Sequence, residues 1–241
     1  MARHGQHVTN EFDALTPQDR AYPAFMRNLF DDLVPPDLWY QGNLELLAQK
    51  SVGFCGSRKA TESGLDVTKD CAIFLSERNV TVTSGYASGV DITAHKEALK
   101  SGGSTIIVLP EGANGFRIKR EIRDFWDWSR VLVLSYFQPH HVWRADRAMD
   151  RNRAIVSISD AIVVIEAGET GGTLNAGRVA LKANKPLFVA TFADMSGDRG
   201  GNRMLLEAGG RPLMRSRSTG RTQINPLLTE LGCDIEPTRA N

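Results

Sequence analysis

Three segments of the chain follow one pattern, in which a run of β-forming residues breaks into a loop of small residues and a helix-like segment starts directly after it. The clearest example extends from Val80 to His95, with its loop at 84–89. The other two lie at 52–58 and 161–173. Because the first backbone N–H groups of a helix lack partners within the helix, such a junction can bind an anion. Three junctions of this kind indicate a ligand that carries phosphate.

Strand-like and helix-like segments alternate from residue 51 onward, and this limits the folds open to the chain. The β-like runs lie at 52–55, 80–83, 105–109, 131–135, 161–165 and 186–190. Their alternation with helix-length segments predicts an α/β fold, a doubly wound and mostly parallel sheet with helices on both faces. Ligands of such sheets bind at the carboxyl ends of the strands, near the reversal of strand order. All three small-residue loops fall at such strand ends.

Composition excludes several classes of protein. With 241 residues, of which 41% are hydrophobic and 24% charged, the chain can bury one good core. The formal net charge of +1 excludes a protein that binds nucleic acid through bulk positive charge, but it leaves room for a local basic groove. The three cysteines are scattered and lack C-x-x-C spacing, so they predict neither a disulfide framework nor a metal site.

Membrane insertion and export are not expected either. The longest apolar runs are far shorter than the roughly 20 residues that a membrane span needs. The start of the chain, Met1–His7, has no apolar signal-peptide core. We therefore expect a cytoplasmic protein without membrane contact.

The chain is expected to form one main domain with short extensions. Residues 1–50 are rich in Pro, Asp and aromatic residues, which indicates an N-terminal extension packed on the core. Residues 51–215 form the predicted main domain, and 216–241 form a short C-terminal tail. The basic, breaker-rich segment 211–221 leads into that tail, and we expect it to be solvated and mobile.

The candidate phosphate-binding residues come from the three loops and from an arginine-rich segment before the third loop. Glycine lets the backbone turn closely, serine and threonine offer hydroxyl groups, and arginine can bind a phosphate bidentately. The set is Gly56, Ser57, Arg58, Ser84, Gly85, Ala87, Ser88, Gly89, Arg151, Asn152, Arg153, Glu166, Gly171, Gly172 and Thr173. Each group also has a structural interpretation: the loops cap helices, and Glu166 serves equally as a ligand acceptor or as the cap of the turn at 170–173.

Further basic residues flank this set. Arg144, Arg147 and Arg151 share one helical face, for which a solvated surface balanced by acidic neighbours is the default interpretation. The candidate flanking contacts are Arg117, Lys119, Arg120, Arg144 and Arg147. Asp91 and His95 have the i, i+4 spacing of a catalytic or metal pair, yet no third ligand or nucleophile lies nearby, so we favour a structural role. The prediction is no catalytic constellation, no metal and no cofactor.

Several of these motifs, in this order, resemble the DNA-processing protein A (DprA/Smf) family. The resemblance covers roughly residues 20–215. Its motifs are Tyr22-Pro23, the segments 35–43 and 56–58, Ser84–Asp91 with Ala94-His95, 103–109, Arg151-Asn152-Arg153, 163–167, 171–176 and 200–205. The resemblance implies an extended Rossmann-like domain that binds single-stranded DNA as a homodimer and passes the strand to a RecA-type recombinase. It implies a binding protein rather than an enzyme.

The chain departs from the family pattern at several places. The family loop reads Ser-Gly-x-Ala-Arg-Gly-Ile-Asp, and Ser88 stands here at the arginine position, which removes a charged phosphate contact. The Tyr-Pro pair after the third strand is replaced by Gly115–Arg120, and we expect no C-terminal winged-helix module.

Two alternatives stay open. Stand-alone relatives also resemble antitoxins of phage-defence modules, so a cognate toxin is a second possible partner. The other alternative is a nucleotide-sensing or nucleotide-hydrolysing member of the wider superfamily, which includes phosphoribohydrolases with a Pro-Gly-Gly-x-Gly-Thr-x-x-Glu loop. Ser88 at the arginine position favours a small ligand, whereas the segment 167–173 lacks the proline and the glutamate of that loop, which disfavours nucleotide hydrolysis.

Overall fold

The computed structural model describes residues 11–30 and 33–235. The segment Met1–His7 lies outside the described residues, as do the first ten residues of the expected extension and the last six of the expected tail. The strands are β1 (Asp13–Leu15), β2 (Leu38–Gly42), β3 (Ser51–Cys55), β4 (Thr81–Ser84), β5 (Thr105–Val108), β6 (Val131–Ser135), β7 (Ala161–Val164), β8 (Leu187–Ala190) and β9 (Arg211–Leu213). The helices are α1 (Ala24–Phe30), α2 (Glu62–Ser76), α3 (Val90–Lys100), α4 (Arg120–Arg123), α5 (Ala145–Ile158), α6 (Gly172–Lys182), α7 (Gly200–Glu207) and α8 (Asn225–Glu230).

The nine strands of the described residues belong to one sheet, in the order β1-β2-β6-β5-β4-β3-β7-β8-β9. The strands from β6 to β9 run parallel, while β1 and β2 add an antiparallel edge. This confirms the predicted doubly wound, mostly parallel α/β fold, and each of the six predicted strands is present. The chain winds outward from β3 to β6 and then returns to β7 on the other side of β3. The strand order therefore reverses between β3 and β7, where a ligand site is expected.

The core consists of two layers, one on each face of the sheet. Successive residues of β7 alternate between them: Ile162 and Val164 pack with α1, α5, α6 and α7, whereas Ala161 and Val163 pack with α2, α3 and α8. This alternation is the two-residue period of a strand whose faces are both covered. Both layers of helices are thereby fixed relative to the carboxyl ends of the strands.

The N-terminal region adds β1, β2 and α1 to this core. The guanidinium of Arg153 on α5 donates to the carbonyl of Leu29 in α1 at 2.8 Å, and the Tyr22 hydroxyl donates to the carbonyl of Pro36. The division of the chain at residues 50 and 215 stays a prediction. The sheet itself crosses the first of these limits, because β1 and β2 lie before residue 50, and its last strand, β9, ends at Leu213, before the second limit.

The segment 211–221 is mostly exposed, as expected of a solvated segment, but its end and the residues after it are held on the core. The carboxylate of Asp70, on α2, accepts hydrogen bonds from the guanidinium of Arg221 at 2.9 Å and from the backbone and hydroxyl of Thr222. Leu227 and Leu228 of α8 are fully buried. A buried carboxylate needs partners, and an apolar helix face needs cover, so both hold this segment on the core. No helix within the described ranges has the length and apolarity to cross a bilayer.

Candidate functional site

A cavity of about 390 Å³ lies where the strand order reverses. The carboxyl end of β3, the start of α6 and one side of α5 form its walls. Its lining residues are Phe54, Cys55, Gly56, Ser57, Arg58, Ala87, Asp91, Trp143, Ala145, Ala148, Met149, Arg151, Asn152, Ile155, Gly171, Gly172 and Thr173. The cavity thus combines residues of all three predicted loops with the arginine-rich helix.

The start of α6 offers backbone donors to this cavity. Gly171 precedes the helix with a φ of +100°, and no side chain caps the helix. The amide of Asn152 donates to the carbonyl of Gly172 at 3.1 Å and fixes the helix start against α5. Since the first N–H groups of a helix have no partners within it, those of α6 are available to an anion.

The start of α3 is used differently, because the protein itself supplies its partners. The N–H of Val90 donates to the carbonyl of Ser57 at 3.2 Å, and the Asp91 carboxylate accepts from the N–H of Ala87. Gly89 has a φ of +75°, and a Cβ there would lie 2.3 Å from the Ser57 oxygen. The loop at 84–89 therefore packs against the loop at 56–58 and shapes the cavity wall.

Arg151 is the most unusual side chain of the site. The residue is only 6% exposed, and its Nε is buried without a hydrogen-bond partner among the described residues. The guanidinium lies 3.9 Å from the carboxylate of Asp91, and it packs so closely on Gly85 that a Cβ there would be 1.6 Å from Nη1. A buried arginine with an unpaired donor is costly in free energy. An anion in the cavity would reduce this cost.

Two neighbouring groups stay uncharged. His95 holds the loop in place through the carbonyl of Gly85 (2.5 Å) and the hydroxyl of Thr105 (2.6 Å), and complete burial lowers its pKa to about 4. Burial, with Asp91 nearby, raises the pKa of the Cys55 thiol to about 12. The pair of Asp91 and His95 thus has structural partners, and Cys55 remains a thiol rather than a reactive thiolate.

The rim of the cavity carries an aromatic platform that the sequence analysis did not identify. Trp143 is 44% exposed, and the guanidinium of Arg58 lies over its ring at 4.9 Å from the centroid. Val142, directly before it in the chain, and Met149, on α5, are exposed as well. The signal in the sequence was an aromatic residue directly before the arginine-rich segment, a combination typical of nucleic-acid-binding surfaces.

The structure brings together most of the predicted residues. Those that line the cavity are Gly56, Ser57, Arg58, Ala87, Arg151, Asn152, Gly171, Gly172 and Thr173. Ser84 is buried behind them, where its hydroxyl donates to the carbonyl of Phe54 at 2.7 Å. Gly85 and Gly89 support the wall, as described above. Ser88 is exposed in the loop that Gly89 ends.

Two predicted residues lie elsewhere. Arg153 is anchored to Leu29 and to Asp150, because residues two apart on a helix point to nearly opposite sides. The carboxylate of Glu166 accepts from the N–H and hydroxyl of Thr61 and from the guanidinium of Arg199 at 2.9 Å, and only 2% of the residue is exposed. The partners of Glu166 are all protein groups near the start of α2. Glu166 and Arg153 are therefore not part of the candidate site.

The candidate flanking residues differ in their surroundings. Lys119 is half-buried, and its ammonium donates to the carbonyl of Tyr86, so it holds the loop at 84–89; burial lowers its pKa. Arg117 donates to the carbonyls of Asn114 and Phe116, and Arg120 is exposed at the start of α4. Arg144 is paired with Asp146 on the surface. Arg147 donates to the carbonyl of Val142, beside the platform.

Comparison with known proteins gives one consistent result. Residues 13–219 match the family of DNA recombination-mediator protein A. The chain is 28% identical over 210 residues to the DNA processing protein DprA of Streptococcus pneumoniae, a match that covers 85% of this chain and 73% of that protein. It is 29% identical over 188 residues to the protein Smf of Synechocystis sp., which covers 76% of this chain and 47% of that protein. The chain thus spans less than half the length of the Synechocystis relative.

Solved structures agree with the sequence matches. The X-ray structure of DNA processing protein A from S. pneumoniae superposes with a TM-score of 0.72 at 29% identity, covering 84% of this chain and 71% of that one. DNA processing protein A from Helicobacter pylori superposes with a TM-score of 0.74 at 26% identity, covering 92% of this chain and 98% of that one. The H. pylori structure concerns the single-stranded DNA binding mode of that protein.

Proposed function

Because the chain belongs to the family of DNA recombination-mediator protein A, we propose that it binds single-stranded DNA at the cavity between β3 and α6 and acts in DNA processing. One observation carries the proposal: the buried guanidinium of Arg151, whose Nε has no partner in the described part of the chain, lies in a cavity lined by the start of α6, which no described side chain caps. Both groups favour an anion. Membership of the family favours the phosphate of a nucleic acid as this anion.

Residues at the rim of the cavity can contact further parts of a DNA strand whose phosphate lies in the cavity. Trp143 presents an exposed ring on which a base can stack, and Arg58 lies where it can contact both that ring and a phosphate. Stacking and backbone contacts tolerate any sequence, because each base has an aromatic face and phosphates carry no base information. We therefore expect binding without a strong sequence preference.

Partners at the level of the whole protein follow from the family. We include in the proposal a homodimer, delivery of the bound strand to a RecA-type recombinase, and a role without catalytic turnover. Cosedimentation of the protein with a recombinase in the presence of single-stranded DNA tests the second of these. A strand-dependent complex supports it, whereas sedimentation apart contradicts it.

The direct test of the DNA site is a fluorescence anisotropy titration with a labelled oligothymidylate at several salt concentrations. The logarithm of the affinity should fall with the logarithm of the salt concentration, with a slope of about −0.7 for each phosphate neutralised. Salt-independent or undetectable binding would contradict the proposal.

Replacing Trp143 separates stacking from charge in the same titration. Trp143→Ala should weaken binding by about 1–3 kcal/mol and leave the salt slope unchanged, since the indole ring carries no charge. Trp143→Phe is the matched control and should retain most of the affinity. If Trp143→Ala binds as the unmodified protein does, the platform has no part in the site.

A further inference from the structure

We infer that the cavity prefers a terminal phosphomonoester to a phosphodiester within a strand. Such a group is found at the phosphorylated end of a strand and in a nucleoside monophosphate. The inference rests on the proposed function, because it specifies which phosphate the same site takes. It is carried by the position of Arg151 relative to the rest of the cavity.

Arg151 lies on the floor of the cavity, and the other cation lies at the rim. The guanidinium of Arg151 is packed on Gly85, in the same wall as the buried residues Cys55 and Ile155. Arg58, by contrast, is exposed. A ligand must therefore enter beyond the rim before its oxygens reach the donors of Arg151.

A phosphodiester and a phosphomonoester differ in the space that they need to reach Arg151. A phosphodiester carries a sugar on both sides, so its non-bridging oxygens reach the floor only if both arms of the strand enter. A terminal phosphomonoester enters with one arm. The volume of about 390 Å³ lies at the lower end of the range of small-molecule sites, about 300–1,000 Å³. It fits one nucleotide-sized group better than a bent strand.

The N–H donors and the charges at the cavity also favour a phosphomonoester. A guanidinium offers five N–H donors, and the start of α6 adds backbone donors, so the site requires several acceptor oxygens. A phosphomonoester has three terminal oxygens and nearly two negative charges at neutral pH. The floor cation already lies 3.9 Å from the Asp91 carboxylate, so a ligand must compete with this negative charge. The second charge of a monoester makes it the better competitor.

The test compares ends in one binding assay. Oligothymidylates of about 12 nucleotides, a length within the usual site sizes of such proteins, carry an internal dye and either a 5′-phosphate, a 3′-phosphate or hydroxyl groups at both ends. We expect at least one phosphorylated form to bind about tenfold more tightly than the hydroxyl form. Equal binding of all three overturns the inference and leaves the proposed function intact. Absence of binding by all three contradicts the proposed function itself.

Competition identifies the source of the phosphomonoester. Thymidine monophosphate and thymidine are each added against the labelled strand. If thymidine monophosphate displaces the strand at concentrations near its own dissociation constant and thymidine does not, the ligand class is a nucleoside monophosphate. If only the phosphorylated strand binds tightly, the class is a strand end. Displacement by thymidine as effective as by its monophosphate overturns the inference.

Two further readouts link the preference to the monoester and to Arg151. The advantage of the phosphorylated strand should shrink between about pH 7.5 and about pH 5.5, as the dianionic monoester takes up a proton near pH 6 and loses its second negative charge. Arg151→Lys keeps the charge but removes the planar donor fork, so it should bring the ratio between the two strands toward one. Arg211→Lys, on the strand at the far edge of the sheet, is the control and should keep the ratio. A ratio that is independent of pH and of Arg151 overturns the inference.

Discussion

Arg151 and Arg153 stand two positions apart on α5, yet their surroundings differ in every respect that matters for binding. Arg151 is buried at the cavity, and its Nε is unpaired among the described residues. Arg153 is exposed and bonded to Leu29 and Asp150. The apolar face of α5 contains Ile155, four residues after Arg151, so Arg151 projects toward the sheet. The same geometry directs Arg153 toward α1.

Ser88 is the residue at which a single change should strengthen binding. Its side chain is exposed beside the loop at 56–58, so an arginine can be placed there without a steric conflict. Ser88→Arg should raise the affinity for single-stranded DNA severalfold and steepen the salt slope by about 0.7, since it adds one phosphate contact. Anisotropy titrations over a range of salt concentrations measure both.

Ser88→Gln is the control for side-chain size, and it should leave the salt slope as it was. If Ser88→Arg leaves both the affinity and the slope unchanged, a bound strand does not pass this part of the loop.

His95 should make stability depend on pH. Its pKa is lowered to about 4 by burial, while in the unfolded chain it has its ordinary value near 6.5. Between these values the unfolded state binds the extra proton, so the free energy of unfolding falls as the pH falls. The loss should reach about 3 kcal/mol at pH 4 and should level off within about one further pH unit. Urea unfolding at a series of pH values measures it.

His95→Gln is the comparison, because its amide can donate to Gly85 and accept from Thr105 without titrating. The charged groups around His95 are Asp91, Arg151 and Lys119, and they are present in both proteins. Equal dependence on pH in the two proteins would show that His95 is not the titrating group.

At the scale of elements, the site depends on two helix starts that the sequence marks alike and the structure uses differently. The start of α6 is left open to the cavity, whereas N–H groups at the start of α3 donate to the carbonyls of Ser57 and Ala87. The glycines that precede these helices both have positive φ. Their roles differ because only Gly89 has a backbone oxygen directly against the position of a Cβ.

Gly89→Ala should therefore destabilise the protein by about 3 kcal/mol, through the strained φ and through displacement of the Ser57 carbonyl. Gly102→Ala is a matched control: its φ is +78°, but nothing lies within 4 Å of the added atom, so only the backbone strain of about 1–2 kcal/mol applies. Chemical denaturation of both variants gives the difference. Equal losses would mean that the contact between the loops contributes nothing to stability.

At the scale of the whole molecule, the sequence was informative where burial is complete. The six predicted strands are short apolar runs covered on both faces, and such runs admit few other interpretations. The outer strands β1, β2 and β9 were not predicted, because they are short and only partly buried. Their formation depends on neighbours distant in the chain, which a local pattern does not contain.

The position of the site could be predicted from the sequence, but the residues that line it could be predicted only in part. Strand-end loops located the cavity, since parallel strands bring their carboxyl ends to one edge. Which of Arg151 and Arg153 faces the cavity depends on how α5 is rotated about its axis relative to the sheet, and the sequence alone does not give this rotation. The partners of Glu166 come from residues more than thirty positions before or after it, Thr61 and Arg199. Trp143 was missed because its exposure depends on the path of the segment before α5.

The most direct test of the whole account compares Arg151→Gln with Arg153→Gln in binding to one labelled oligothymidylate. Both variants remove one positive charge from the same helix, so long-range electrostatics change equally. Arg151→Gln should lose about 1.5–3 kcal/mol of binding free energy, since a charged hydrogen-bonding group is lost at the phosphate. Arg153→Gln should stay within about 0.5 kcal/mol of the unmodified protein. Equal losses, or a larger loss for Arg153→Gln, would contradict the assignment of the cavity as the DNA site.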